Sequence, residues 1–148
     1  MGQVYMGPPQ ELVRRLQEAC GLTQFIETGT YQGHTARWAA TCFDRVVTIE
    51  YAKVLWEAAT AKWGGLTNVE FVWGDSRRLL RSLVPGLSRP AVFWLDAHWS
   101  GGDTYGEGDE CPLLAELEII LGCRMGHLIL IDDARLFTAA PPPPHVPG

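Results

Sequence analysis

Apolar and polar positions along this chain change period several times, and each change marks an element. Leu12, Val13 and Leu16 recur at helical spacing with charges between them, which predicts a helix over 9–20 capped by Gly21. Residues 24–28 read as a strand and 33–42 as a helix. The run RVVTIE at 45–50 is rich in β-branched residues, as strands are. A helical pattern over 52–63 is closed by Gly64 and Gly65. A strand over 69–73 precedes a helix over 76–84 that Pro85 and Gly86 end. The run AVFWL at 91–95 is wholly apolar, residues 110–121 read as a helix, and LILI at 128–131 is again wholly apolar.

Strands that alternate with helices imply βαβ units and a parallel sheet, an α/β fold with right-handed crossovers. Continuous apolar strands are expected where helices cover both faces of such a sheet. The glycine-rich acidic stretch SGGDTYGEGD over 100–109 follows the fourth strand and is a loop. It lies beyond a strand's carboxyl end, where open α/β sheets bind ligands. One domain over 1–140 is expected, followed by a proline-rich tail over 141–148 that cannot pack as a helix or a central strand.

The composition narrows the partner classes. Seventeen acidic residues against 12 basic ones give a formal charge of −5, so no basic face for nucleic acid is expected. No apolar run approaches the roughly 20 residues that span a bilayer, and the N-terminus has no basic-then-apolar signal pattern. Cys20, Cys42, Cys111 and Cys123 form no C-x-x-C pair. They read as reduced thiols of a cytoplasmic protein, with a zinc site as the minor alternative.

The most informative segment is Glu27-Thr28-Gly29-Thr30-Tyr31-Gln32-Gly33-His34-Thr35, between the first strand and the next helix. Strand, glycine turn and helix bring a ligand against backbone amides. The spacing E-x-G-x-x-x-G lacks the paired glycines of a pyrophosphate clamp and suits a nucleoside carrying a small zwitterionic arm. Every strand's carboxyl end also carries an acid: Glu27, Glu50, Asp75 just after the third, Asp96, and the Asp132–Asp133 pair. Parallel strands align these along one sheet edge. Glu50 is placed to accept hydrogen bonds from ribose hydroxyls, and Asp75 and Ser76 to meet a base. The alternative for Asp75 is that it only caps the helix that follows.

Asp96, Asp132 and Asp133 form a second group at two strand ends. Unpaired carboxylates at close range raise each other's pKa, and a divalent cation removes the conflict. An oxygen-only set favours Mg²⁺, Ca²⁺ or Mn²⁺. The alternative is that one aspartate of the pair caps a turn and the other faces solvent.

Taken together, ETGTYQGHT, VVTIEY, WGDSRRLL, VFWLDAHW and LILIDDA resemble, in order, five motifs of the class I S-adenosylmethionine (SAM)-dependent methyltransferases. The metal-dependent O-methyltransferases of the catechol type and of the macrocin sugar type are the most similar. The resemblance covers about residues 24–135. It implies a Rossmann-like sheet of order 3-2-1-4-5 with helices on both faces, lacking the family's last two strands. Gly29, Tyr31 and Thr35 would line the methionine end of SAM, with Glu27, Gly33 and Asp96 in the same site. Glu50 would hold the ribose and Tyr51 would lie against the adenine, whose edge Asp75, Ser76 and Arg77 would surround. Asp96, Asp132 and Asp133 would hold Mg²⁺, and the acceptor would be a small hydroxylated molecule of the diol type.

Where the catechol-type enzymes have a lysine base this chain has Trp99, so His98 is a candidate base, with a packing role as its alternative, and resemblance to the sugar type implies Asp96 itself as the base. Two other functions fit parts of the pattern. One is a metal-dependent hydrolase built on Asp96, His98 and the Asp132–Asp133 pair. The other is a non-catalytic nucleoside-binding fragment or partner subunit. The fifth strand, apolar on both faces, is expected at an edge and to pair chains into a homo-oligomer.

Overall fold

The computed structural model describes residues 6–96, 112–132 and 134. Five strands form one parallel sheet: β1 (Gln24–Thr28), β2 (Arg45–Glu50), β3 (Val69–Trp73), β4 (Val92–Leu95) and β5 (Leu128–Ile131). Their order is β3-β2-β1-β4-β5, as expected. The helices are α1 (Gln10–Cys20), α2 (His34–Ala39), α3 (Lys53–Trp63), α4 (Ser76–Leu83) and α5 (Leu113–Leu121), with a 3₁₀ turn at Val84–Gly86. The chain winds outward from β1 to β3 and then returns to β4. This reversal leaves a crevice at the carboxyl ends of β1 and β4, the switch point where such sheets bind ligands.

The register levels the strand ends. Thr28 pairs with Ile49 on one side and Leu95 on the other, and Leu95 pairs with Ile131. Successive side chains on a strand point to opposite faces, so the all-apolar strands feed two cores. On one face Ile26, Ile49 and Phe93 meet Leu80 of α4 and Ile120 of α5. On the other, Phe25, Val46 and Val92 meet Val13 of α1 and Ala36 of α2. Fully burying one such large side chain contributes about 1.5–3 kcal/mol. These two layers fix the edge on which the turns stand.

Some element ends differ from the sequence pattern. α2 stops at Ala39 rather than at residue 42, because Thr41 and Cys42 donate to Trp38 O and Ala39 O, three residues back. That tighter turn drops Phe43 into the core beside Phe25, with ring centroids 5.2 Å apart. α1 ends as expected, with Gly21 left-handed at φ 61°. α5 begins at Leu113 behind Pro112, while residues 110 and 111 lie outside the described set. So do the 100–109 loop, Cys111 and the 141–148 tail. Cys20, Cys42 and Cys123 are free thiols. Among the described residues no helix is long and apolar enough to cross a membrane.

Candidate functional site

The turn after β1 is built from left-handed backbone. Gly29, Tyr31 and Gly33 have φ of 86°, 48° and 73°. Glycine adopts such angles freely, whereas a tyrosine there is uncommon and must be held. Two bonds hold the turn: Gly29 N donates to Ile49 O at 2.9 Å and Gly33 N to Thr30 O at 2.8 Å. A third comes from a side chain, because Tyr31 N donates to Glu50 Oε2 at 2.9 Å.

Glu50 ends β2 and is buried. Its other oxygen, Oε1, accepts from Ala52 N at 2.8 Å, just before α3. One carboxylate therefore joins the β1–α2 and β2–α3 turns. Each carboxylate oxygen can accept more than one bond, so hydroxyl donors can still be received there. Tyr31 and Tyr51 flank this junction and are each about half exposed, at 48 % and 46 %.

Glu27 lies beneath the same turn and is fully buried. Thr48 Oγ1 donates to Glu27 Oε2 at 2.6 Å, and Thr30 Oγ1 lies 2.7 Å from Thr48 Oγ1. Burial pushes the Glu27 carboxyl up to about 8, and the charges of Asp96 and Glu50 push the same way. The Thr48 and Thr35 hydroxyls oppose this by favouring the charged form. Glu27, Glu50 and Asp96 thus influence one another beneath the glycine turn.

At the next strand end, Asp75 takes the capping role open to it in the sequence and adds an ion pair. It caps α4, accepting from Arg77 N at 2.9 Å, and it pairs with the Arg77 guanidinium at 2.9 Å from Nη2 to Oδ2. Ser76 opens α4 and is buried.

Asp96 and Asp132 continue β4 and β5 side by side. Asp96 N donates to Thr28 O at 3.1 Å and Asp132 N to Leu95 O at 3.0 Å. Neighbouring strands lie about 4.8 Å apart, which brings the two aspartates to adjacent positions on the sheet edge. Asp133 and His98 lie outside the described residues. Among the described residues no group of three or more His, Cys, Asp or Glu side chains is close enough to hold a metal ion. The two described aspartates supply hard oxygen donors of the kind Mg²⁺ takes, and that part of the set fits.

One buried acid escaped the sequence analysis. Glu116 of α5 is 1 % exposed, and Thr28 Oγ1 donates to its Oε2 at a long 3.5 Å. Burial pushes its carboxyl up to about 7, with the nearby Ser76 and Thr28 hydroxyls opposing. Its Oε1 and Ser76 Oγ have no well-formed hydrogen bond among the described residues. The signal was available: Leu113, Glu116, Leu117 and Ile120 share one helical stripe, so a carboxylate occupies a core-facing position.

No family model and no curated protein matches the sequence. Solved structures do match in fold. The O-methyltransferase TomG from Streptomyces achromogenes, involved in tomaymycin synthesis and solved in complex with SAM, aligns with TM-score 0.69 and 23 % identity over 96 % of this chain and 62 % of its own. An O-methyltransferase from Bacillus cereus in complex with SAH aligns with TM-score 0.59 and 19 % identity over 81 % and 54 %. The SAH-bound methyltransferase PaMTH1 of Podospora anserina aligns with TM-score 0.60 and 18 % identity over 83 % and 51 %. The chain thus has the fold of these methyltransferases and spans between half and two thirds of their length.

Proposed function

We propose that this chain binds SAM at the carboxyl ends of β1 to β3 and transfers its methyl group to a hydroxyl oxygen of a small diol-type acceptor, with Mg²⁺ assistance. The observation that carries the reading is Glu50: a buried carboxylate that joins two turns at the switch-point edge, where a ribose needs an acceptor. The methyltransferase fold supports it. Gly29 lets the methionine end approach the backbone, with Tyr31, Gly33 and Thr35 in the same turn. Tyr51 lies against the adenine, and Asp75, Ser76 and Arg77 border its edge. The acids around Glu27 favour the cationic sulfonium and ammonium of SAM.

Methyl transfer breaks a sulfur–carbon bond, forms an oxygen–carbon bond and sends the acceptor's proton to a base. Asp96 or His98 takes that proton. Asp96, Asp132 and Asp133 would hold the Mg²⁺, which would supply Lewis-acid activation and orientation of the acceptor hydroxyl. The residues of the turn align the two reactants, which supplies much of the acceleration. The protein acts in the cytoplasm under this reading.

The test is turnover with methyl-labelled SAM and a panel of catechol and sugar diols, in Mg²⁺ and in EDTA. Label in the acceptor only with Mg²⁺ is the expected result. Binding of SAM without transfer to any acceptor would leave a nucleoside-binding module. Hydrolysis without SAM binding would identify the metal-dependent hydrolase.

A further inference from the structure

The two turns that meet at Glu50 are also gripped from behind, each by an indole. Trp63, the last residue of α3, donates from Nε1 to Gln32 O at 2.9 Å. Trp73, the last residue of β3, donates from Nε1 to Tyr51 O at 3.0 Å. The Tyr51–Ala52 peptide therefore has its carbonyl on Trp73 and its N–H on Glu50. The β1–α2 turn is held the same way, with Tyr31 N on Glu50 and Gln32 O on Trp63.

Trp63 also fills the space that Gly33 leaves: a Cβ on Gly33 would stand 2.7 Å from Trp63 Cδ1. The His34 ring meets the indole edge-on at 5.8 Å. The Arg37 guanidinium lies 5.1 Å and the Lys62 ammonium 4.8 Å from its centroid. Trp73 carries Lys53 in the same way at 5.4 Å. Cations over an indole face are attracted by its quadrupole and steady the ring. Core packing does not account for Trp73, which is 51 % exposed on an edge strand.

We propose that Trp63 and Trp73 are positioning residues that keep the two turns in their ligand-binding form before the nucleoside arrives. Turns already ordered lose less conformational entropy on binding, which raises affinity without any new contact to the ligand. The inference rests on the reading of these turns as the SAM site.

The experiment compares W63F and W73F, which keep a ring and lose the N–H, with W56F as control. Trp56 makes an equivalent bond to Phe71 O at 3.0 Å, on β3 rather than on either turn, and its ring lies 6.3 Å from that of Trp73, so it controls for loss of an indole N–H in the same neighbourhood. In ligand-free protein, amide exchange at Tyr31 and Gly33 should quicken about five- to tenfold in W63F, and at Ala52 in W73F, as the loss of one hydrogen bond predicts. SAH affinity should fall by a similar factor in each, and W56F should change neither. Unchanged exchange at those amides in W63F and W73F overturns the proposal, as does an equal effect in W56F. Wild-type protein that binds no SAH removes the cofactor reading instead, and the exchange rates still decide whether the indoles hold the turns.

Discussion

Replacing Glu50 by glutamine changes one oxygen to an NH₂ group and leaves shape and size almost untouched. The carboxylate accepts two backbone N–H bonds, from Tyr31 at 2.9 Å and Ala52 at 2.8 Å. A glutamine oxygen can keep one of them. Its NH₂ must then face the other N–H, donor against donor. Hydrogen bonds to a charged group contribute about 1.5–3 kcal/mol each, so losing one and opposing a donor should cost roughly 2–4 kcal/mol. The left-handed Tyr31, at φ 48°, loses part of what holds it and adds to the loss. For a domain of this size that lowers Tm by roughly 5–15 °C. SAM affinity should fall by about ten- to a hundredfold, because the ribose acceptor and the turn geometry go together. The assays are thermal unfolding of the ligand-free protein and calorimetric titration with SAM. A Glu50→Gln protein that melts within about a degree of wild type and binds SAM equally well would refute both roles.

Glu27 predicts a pH dependence. Its carboxyl is raised from 4.5 to about 8 in the fold, so the unfolded chain releases the proton first as pH rises. The stability associated with it is complete below about 4.5 and declines as pH rises towards about 8. Glu27→Gln should flatten that slope in urea unfolding, and an unaltered slope would contradict the assignment. At the proposed metal site, Asp96→Asn and Asp132→Asn should each remove Mg²⁺-dependent turnover while SAM binding is retained in Asp132→Asn; undiminished Mg²⁺-dependent turnover in both would dismiss the site. β5 is half-buried at all four positions and is the last strand on its side of the described sheet, and Leu114 and Leu121 of α5 are exposed. Light scattering should therefore give a mass above the 16.4 kDa of one chain, through pairing at this edge; a monomer at high concentration would remove the idea.

The sheet was legible because its strands say so twice. Apolar runs such as VFWL and LILI need cover on both faces, and the helical patterns between them supply it. The strand-end acids were legible because parallel strands align their carboxyl ends. Helix ends were less so, since the stop of α2 depends on Phe43 packing against Phe25 rather than on a local breaker. Partner choice was the least legible. Nothing local to Glu50 specifies that it takes the amide of Tyr31, or that Trp63 and Trp73 take the carbonyls of Gln32 and Tyr51. Those three bonds join residues 19, 31 and 22 positions apart, and only the fold brings them together. Asp75 shows the converse: its cap was readable from position alone, and the structure adds its pairing with Arg77.

Whether the turns joined by Glu50 form a SAM site is decided by calorimetric titration of the wild-type protein with SAM and with SAH. Both should bind saturably at one site per chain, with affinity weakened by Glu50→Gln and independent of any methyl acceptor. Absence of binding by a folded wild-type protein, or binding that Glu50→Gln leaves untouched, would contradict that assignment.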